Sequence, residues 1–111
     1  HLESVVVDFI DYIDIDTVSQ VLASFTGQPQ QLRLPTAPLH PVIVMHEIDR
    51  PQPKRDLSLA EGDLGMTVKV GRLRGHGSRL NLFLLVHNTI RGAAGASVLN
   101  AEYAKAKGVL K

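Results

Sequence analysis

The chain predicts an α+β fold, and three observations carry that prediction. Short apolar or β-branched runs recur at Val5–Phe9, Val42–Met45, Thr67–Leu73 and Arg79–His87. Two other segments place apolar residues at helical spacing. The elements run strand, helix, three strands, helix, with the last two strands forming an antiparallel hairpin.

The elements follow in order. A strand begins at Ser4 and runs to Phe9 through three consecutive valines. Asp16-Thr17 offers an N-cap, after which Val18, Val21, Leu22 and Phe25 repeat on one helical face. Gly27 and Pro29 stop that helix. Gln30–Pro41 holds Pro35, Pro38 and Pro41 and reads as an extended loop. Val42–Met45 is a short buried strand. Arg50–Gly65 is a second long connection.

Thr67–Leu73 alternates apolar and polar, as a half-buried strand does. Gly75–Ser78 is the turn. In Arg79–His87, Leu80, Leu82, Leu84 and Val86 share one face, and Asn81, Phe83, Leu85 and His87 the other. Both faces look covered, which makes this strand central. A helix from about Ile90 to Lys107 ends at Gly108. The two loops, twelve and sixteen residues long, are long for so small a domain and suggest function or a packing partner.

Composition narrows the function. The 111 residues are 44% hydrophobic and 21% charged, enough for one core. Twelve basic and eleven acidic residues leave a net charge of +1, and no Lys/Arg cluster suggests a nucleic-acid partner. Arg72–Arg79, the densest basic stretch, is broken by Gly75 and Gly77 and reads as a solvated hairpin loop. No apolar run reaches the roughly 20 residues of a membrane helix. The absence of cysteine removes disulfides, zinc-thiolate sites and a cysteine nucleophile from this chain, and fits a cytoplasmic location. With no initiator methionine and a strand at the very start, the chain reads as the C-terminal piece of something longer.

Few residues can carry chemistry. His40, His46 and His76 read as surface residues, and His87 as a satisfied histidine at the end of a buried strand. No histidine pair has metal-ligand spacing, so no metal site is expected. On spacing alone His1 is a terminal residue. Asn88-Thr89 could simply cap the last helix. The run Gly92-Ala93-Ala94-Gly95-Ala96-Ser97 costs helix stability. Its gain is close approach either to the sheet or to a flat ligand. Arg50 in Arg50-Pro51-Gln52-Pro53 is either solvated or an anchor for an interface carboxylate.

Several strings, in order, resemble the C-terminal third of aspartate-semialdehyde dehydrogenase, in its archaeal and fungal branch. They are His1-Leu2-Glu3, Leu34-Pro35-Thr36-Ala37-Pro38, Pro41-Val42-Ile43-Val44 and Asp49-Arg50-Pro51-Gln52-Pro53 with Asp56. Gly65-Met66-Thr67-Val68 with Val70-Gly71-Arg72 follows. His87-Asn88-Thr89-Ile90-Arg91-Gly92-Ala93-Ala94-Gly95, leading to Leu99-Asn100-Ala101-Glu102, completes the series. The His87–Gly95 string and Arg50-Pro51-Gln52-Pro53 are the specific ones. The chain departs from the family at Lys54-Arg55, where an arginine and a small apolar residue are common.

The resemblance implies an α+β substrate and dimerisation domain over residues 1–86. Residues 87–111 would be a terminal helix that completes a Rossmann-like, NADP-binding domain. It implies reductive dephosphorylation of β-aspartyl phosphate, in amino-acid biosynthesis, by a homo-oligomer. His1 stands at the position of the acid/base histidine, and Asn88 at that of the residue touching the nicotinamide end of NADP, with Thr89 assisting. The nucleophilic cysteine, the substrate-binding arginine and the dinucleotide loop would lie in a missing N-terminal part. The 111 residues alone should therefore neither catalyse nor bind NADP. Two alternatives remain open. One is a malonyl-CoA reductase of the same fold, and the other a non-catalytic dimerisation module.

Overall fold

The computed structural model describes residues 1–57 and 64–111. Four strands form one sheet: β1 (Leu2–Asp8), β2 (Val42–Met45), β3 (Val68–His76) and β4 (Arg79–Leu85). Their spatial order is β1-β4-β3-β2. The β1–β4 and β3–β4 pairs are antiparallel, and β2 joins β3 in parallel. The α+β expectation holds, and β4 is an interior strand as its two apolar faces require.

Helix α1 (Ile15–Ser24) covers one face of the sheet. Its cap is Asp14, not Asp16-Thr17. The Asp14 carboxylate accepts from the Thr17 backbone N–H at 2.9 Å and from its hydroxyl at 2.6 Å. Starting two residues earlier lets Ile15 join Val18 and Leu22 on the buried face, with Val5, Val7, Val70, Leu80, Leu82 and Leu84. Val21 and Phe25, expected on that face, are 62% and 55% exposed.

The long loops hold short helical turns where an extended path was expected. Helix α2 (Gln28–Gln31) has Pro29 in its first turn, where a missing N–H costs nothing. Gly27 donates its backbone N–H to Gln30 Oε1. Helix α3 (Pro53–Asp56) begins in the same way at Pro53. Part of the Arg50–Gly65 connection, residues 58–63, lies outside the described residues.

The β3–β4 hairpin is longer than the glycines suggested. β3 runs on to His76, and Gly77-Ser78 alone make the turn, Gly77 at φ +61°. The Arg72–Arg79 stretch is therefore mostly strand and turn rather than loop. Between the pairs Gly71–Phe83 and Arg74–Asn81, β3 holds one residue more than β4. Arg72 takes φ +52° there. This bulge changes which face odd-numbered residues meet. Gly71 faces the 49–57 loop, where a Cβ would collide with the Arg50 carbonyl, whereas Gly75 faces Ile13 and Ile15.

That loop caps the sheet face opposite α1. Pro51 is fully buried. Arg50 donates Nε to Asp56 Oδ2 at 2.7 Å and Nη2 to Oδ1, and the Gln52 backbone N–H reaches Oδ2 at 2.6 Å. Lys69 Nζ donates to the Asp56 carbonyl. Arg72 donates to the Asp49 and Pro51 carbonyls and lies 4.7 Å from the Phe83 ring centroid. Arg50 thus anchors a carboxylate of its own chain rather than one across an interface.

The last helix opens with a π turn (Ile90–Ala94) and continues as α4 (Gly95–Ala106), with Lys107 as its C-cap and Gly108 at φ +74°. It rests on a second, smaller core of Leu34, Met66 and Leu99, joined by Ala37, Ile90 and Tyr103. No described helix is long and apolar enough to cross a membrane.

The Arg50 guanidinium holds the Asp56 carboxyl below the usual carboxylate range, against the opposing effect of burial. A carboxyl lowered in the folded state contributes stability above its unfolded pKa of about 4. That contribution is lost as pH falls through the folded value. Asp56→Asn should cost roughly 3 kcal/mol at pH 7, since it strands a partly buried Arg50. The cost should shrink by pH 3. Urea unfolding of both proteins at pH 7 and pH 3 measures this, and a constant gap between them would contradict it.

Candidate functional site

The strand-to-helix junction after β4 is built by the β1–β4 ladder. The ladder pairs Leu2 with Leu85 and extends one step further. The His1 nitrogen donates to the Val86 carbonyl at 2.7 Å, and Val86 N–H returns a bond to the His1 carbonyl at 2.9 Å. His1 is therefore locked beside Val86, two residues before Asn88. The structure brings both expected site residues to one end of the same strand pair. The His1 side chain is 63% exposed, with Nδ1 3.8 Å from Glu3 Oε1, its neighbour two residues along the same strand face.

The junction itself does not work as an ordinary helix cap. Thr89 sits at the N-cap position with helical backbone angles and makes no side-chain cap bond. Its hydroxyl instead lies 3.3 Å from His87 Nδ1. The Asn88 side chain is exposed and, among the described residues, takes part in no hydrogen bond. Neither side chain caps the helix, and the Asn88 amide has its donors and its acceptor exposed to solvent.

The small residues split into two groups. A Cβ at Gly95 would collide with the Met66 sulfur and come within 3.0 Å of Ile90 Cγ2, so close approach within the chain explains that glycine. Gly92, Ala93 and Ala94 are exposed. A Cβ at Gly92 would meet only Asn88 Oδ1 at 3.4 Å and the His87 carbonyl at 3.9 Å. The π turn around them is made by bonds from Gly92, Ala94 and Gly95 N–H to the carbonyls five residues back. Such turns widen a helix locally and recur at functional sites.

Of the other histidines only His87 lies at the junction, where it meets the Thr89 hydroxyl. His40, His46 and His76 are exposed, and His87 is half-buried. Among the described residues no group of three or more His, Asp or Glu side chains could hold a metal. A cavity of about 650 Å³ lies at the opposite end of the sheet, past the end of β2. Ile15, Val44, His46, Arg72 and Phe83 are among its walls, and neither His1 nor Asn88 is.

Asn88→Ala should shift unfolding free energy by less than about 0.5 kcal/mol, the range of an unconnected surface change. Loss of a working N-cap would cost about 1 kcal/mol. A urea titration decides, and a cost of that size would restore the capping role.

No family model matches the chain. Its similarity to individual proteins is clear. It is 48% identical over 105 residues to the aspartate-semialdehyde dehydrogenase of Methanothermobacter thermautotrophicus, covering 92% of this chain and 29% of that protein. It is 44% identical over 111 residues to a malonyl CoA reductase (NADP) of Metallosphaera sedula, covering 99% of this chain and 31% of the relative. A crystal structure of aspartate semialdehyde dehydrogenase with NADP from Candida albicans aligns with a TM-score of 0.78 at 35% identity, over 92% of this chain and 28% of that one. Aspartate semialdehyde dehydrogenase II of Vibrio cholerae aligns at 0.70 and 27% identity, over 95% of this chain and 27% of that one. The chain spans less than a third of the length of each of these proteins.

Proposed function

The chain belongs to the aspartate-semialdehyde dehydrogenase family, and on that premise we propose that it serves as the C-terminal share of an NADP-dependent aspartate-semialdehyde dehydrogenase. One observation carries the assignment of roles. The His1–Val86 backbone pair sets an exposed imidazole beside a junction whose Asn88 amide has no partner among the described residues.

His1 is the acid/base group in this reading. An imidazole titrates near neutral pH, so it can take the proton of an attacking thiol and return it when the thiolate leaves. The thiol comes from sequence outside these residues, which hold no cysteine. NADPH, when bound, supplies the hydride that reduces the acyl carbon. Asn88 binds its carboxamide end, where an amide can both donate and accept. Gly92, Ala93 and Ala94 leave the helix surface low, so that the cofactor domain can close on residues 87–111. Residues 1–86 form the substrate and dimerisation part. Alone, the 111 residues neither turn over nor bind NADP. A cytoplasmic location belongs to the same reading.

A malonyl-CoA reductase is the second reading. It is favoured by the match to the Metallosphaera relative over 99% of the chain. The Arg50-Pro51-Gln52-Pro53 string supports the aspartate enzyme.

The full-length protein should reduce NADP in the presence of aspartate semialdehyde and phosphate. His1→Asn should lower kcat by about 10²- to 10⁴-fold. Asn88→Ala should raise KM for NADP. Oxidation of NADPH by malonyl-CoA, without phosphate-dependent turnover of aspartate semialdehyde, would select the second reading. Full activity of both variants would overturn the site.

The same reading includes a homo-oligomer. On the sheet face opposite α1, Leu2 and Val6 of the edge strand β1 are 41% and 56% exposed, apolar side chains suited to burial. Light scattering on the protein should give at least a dimer mass, and a monomer at high concentration would contradict it.

A further inference from the structure

We propose that Thr36 and Glu102 form a clasp that positions the last helix for cofactor binding, with Glu102 a positioning residue that touches no ligand itself. The inference rests on the cofactor role proposed for Asn88.

The clasp joins residues 66 apart in sequence. Both oxygens of the Glu102 carboxylate are used by one threonine. Thr36 donates its backbone N–H to Oε2 at 3.0 Å and its hydroxyl to Oε1 at 2.5 Å. Both residues are half-buried. Bonds to an ionised acceptor are stronger than neutral ones, and two parallel bonds also fix direction. Among the described residues Glu102 makes no ion pair, so its carboxylate serves this threonine rather than a surface cation.

The clasp matters because little else holds the helix. Helix α4 packs on the small core of Leu34, Met66 and Leu99 and stands apart from the larger core under α1. Leu99, Glu102 and Tyr103 fall on one face, at i, i+3 and i+4. That face meets the 27–38 segment through Leu34, Thr36 and Gln28, whose Oε1 accepts from the Tyr103 hydroxyl. At the other end of the helix, Ile90 and Gly95 press on Met66, and the outward side carries Asn88, Gly92 and Ala93. The helix thus links an internal clasp to an open face. Its direction, and with it the placement of Asn88, follows from the Thr36–Glu102 geometry. Binding tolerates little misplacement of such a group.

The test measures the NADP dissociation constant, kcat and thermal midpoint of the full-length protein. It uses the wild type, Glu102→Ala, Glu102→Gln, Thr36→Val, Asn88→Ala and the Asn88→Ala/Glu102→Ala double variant. Glu102→Ala and Thr36→Val should each weaken NADP binding about 3- to 10-fold, the size of coupling carried through packed networks. Each should change kcat at saturating NADP less than about twofold. Glu102→Gln should recover most of the affinity, because its amide can accept from the Thr36 N–H and donate to the hydroxyl. In the double variant, the loss should be less than the product of the single losses.

Wild-type affinity in Glu102→Ala, beside a loss in Asn88→Ala, overturns the clasp and leaves the Asn88 role standing. So does a lowered thermal midpoint with unchanged affinity. If Asn88→Ala itself binds NADP normally, the role of Asn88 fails and the clasp's function falls with it. Should Glu102→Ala fail to fold, Thr36→Val decides, and wild-type affinity there overturns the proposal.

Discussion

Two backbone hydrogen bonds between His1 and Val86 tie the beginning of the chain to the residue from which the last helix departs. Every other feature of the candidate site depends on that pairing. The register of β1 against β4 fixes it, and that register is in turn fixed by burial. A slip of one residue would turn Val5 and Val7 away from Leu80 and Leu82 and towards the opposite face. The hydrophobic core therefore sets the separation of two polar residues that lie 87 positions apart in sequence. Asn88 itself lies in the turn beyond β4, carried by the rigid strand pair.

The 49–57 loop serves the same sheet from the other side. Its buried carboxylate, Asp56, gathers Arg50, the Gln52 amide and, through its own backbone carbonyl, Lys69. The loop can approach so closely because Gly71 lacks a side chain, and because the bulge at Arg72 turns β3 at that point. The larger core under α1 and the pinned loop opposite it leave Leu2 and Val6 uncovered at one edge of the sheet and Ile43 at the other. The terminal helix stands on its own small core, so its pose answers to few contacts, among them the Thr36–Glu102 pair.

The sequence was most informative where a signal is local. Val42–Met45 is a strand with the expected bounds, β4 is interior, and Gly108 ends the last helix. Less local facts escaped it. Asp14 and Asp16 are both competent caps, and only the packing of Ile15 chooses between them. The parallel pairing of β2 with β3, and the bulge that reverses the facing of Gly75, are tertiary properties. Gly75 and Gly77 look alike in sequence, yet one is in a strand and one in a turn. At the site, His1 and Asn88 were identified through family resemblance. Nothing in the spacing of residues 1 and 88 announces that both lie at the same end of one strand pair. The partnership of Thr36 with Glu102 was equally hidden, since each alone reads as an ordinary polar residue.

The central claim is that His1 and Asn88 serve one reaction site, placed by the β1–β4 register. A crystal structure of the full-length protein with NADP bound tests it most directly. The account predicts the Asn88 amide within hydrogen-bond distance of the nicotinamide carboxamide, with the His1 imidazole turned toward the reacting carbon of the nicotinamide ring. A nicotinamide held elsewhere, with Asn88 facing solvent and His1 away from the cofactor, would contradict it.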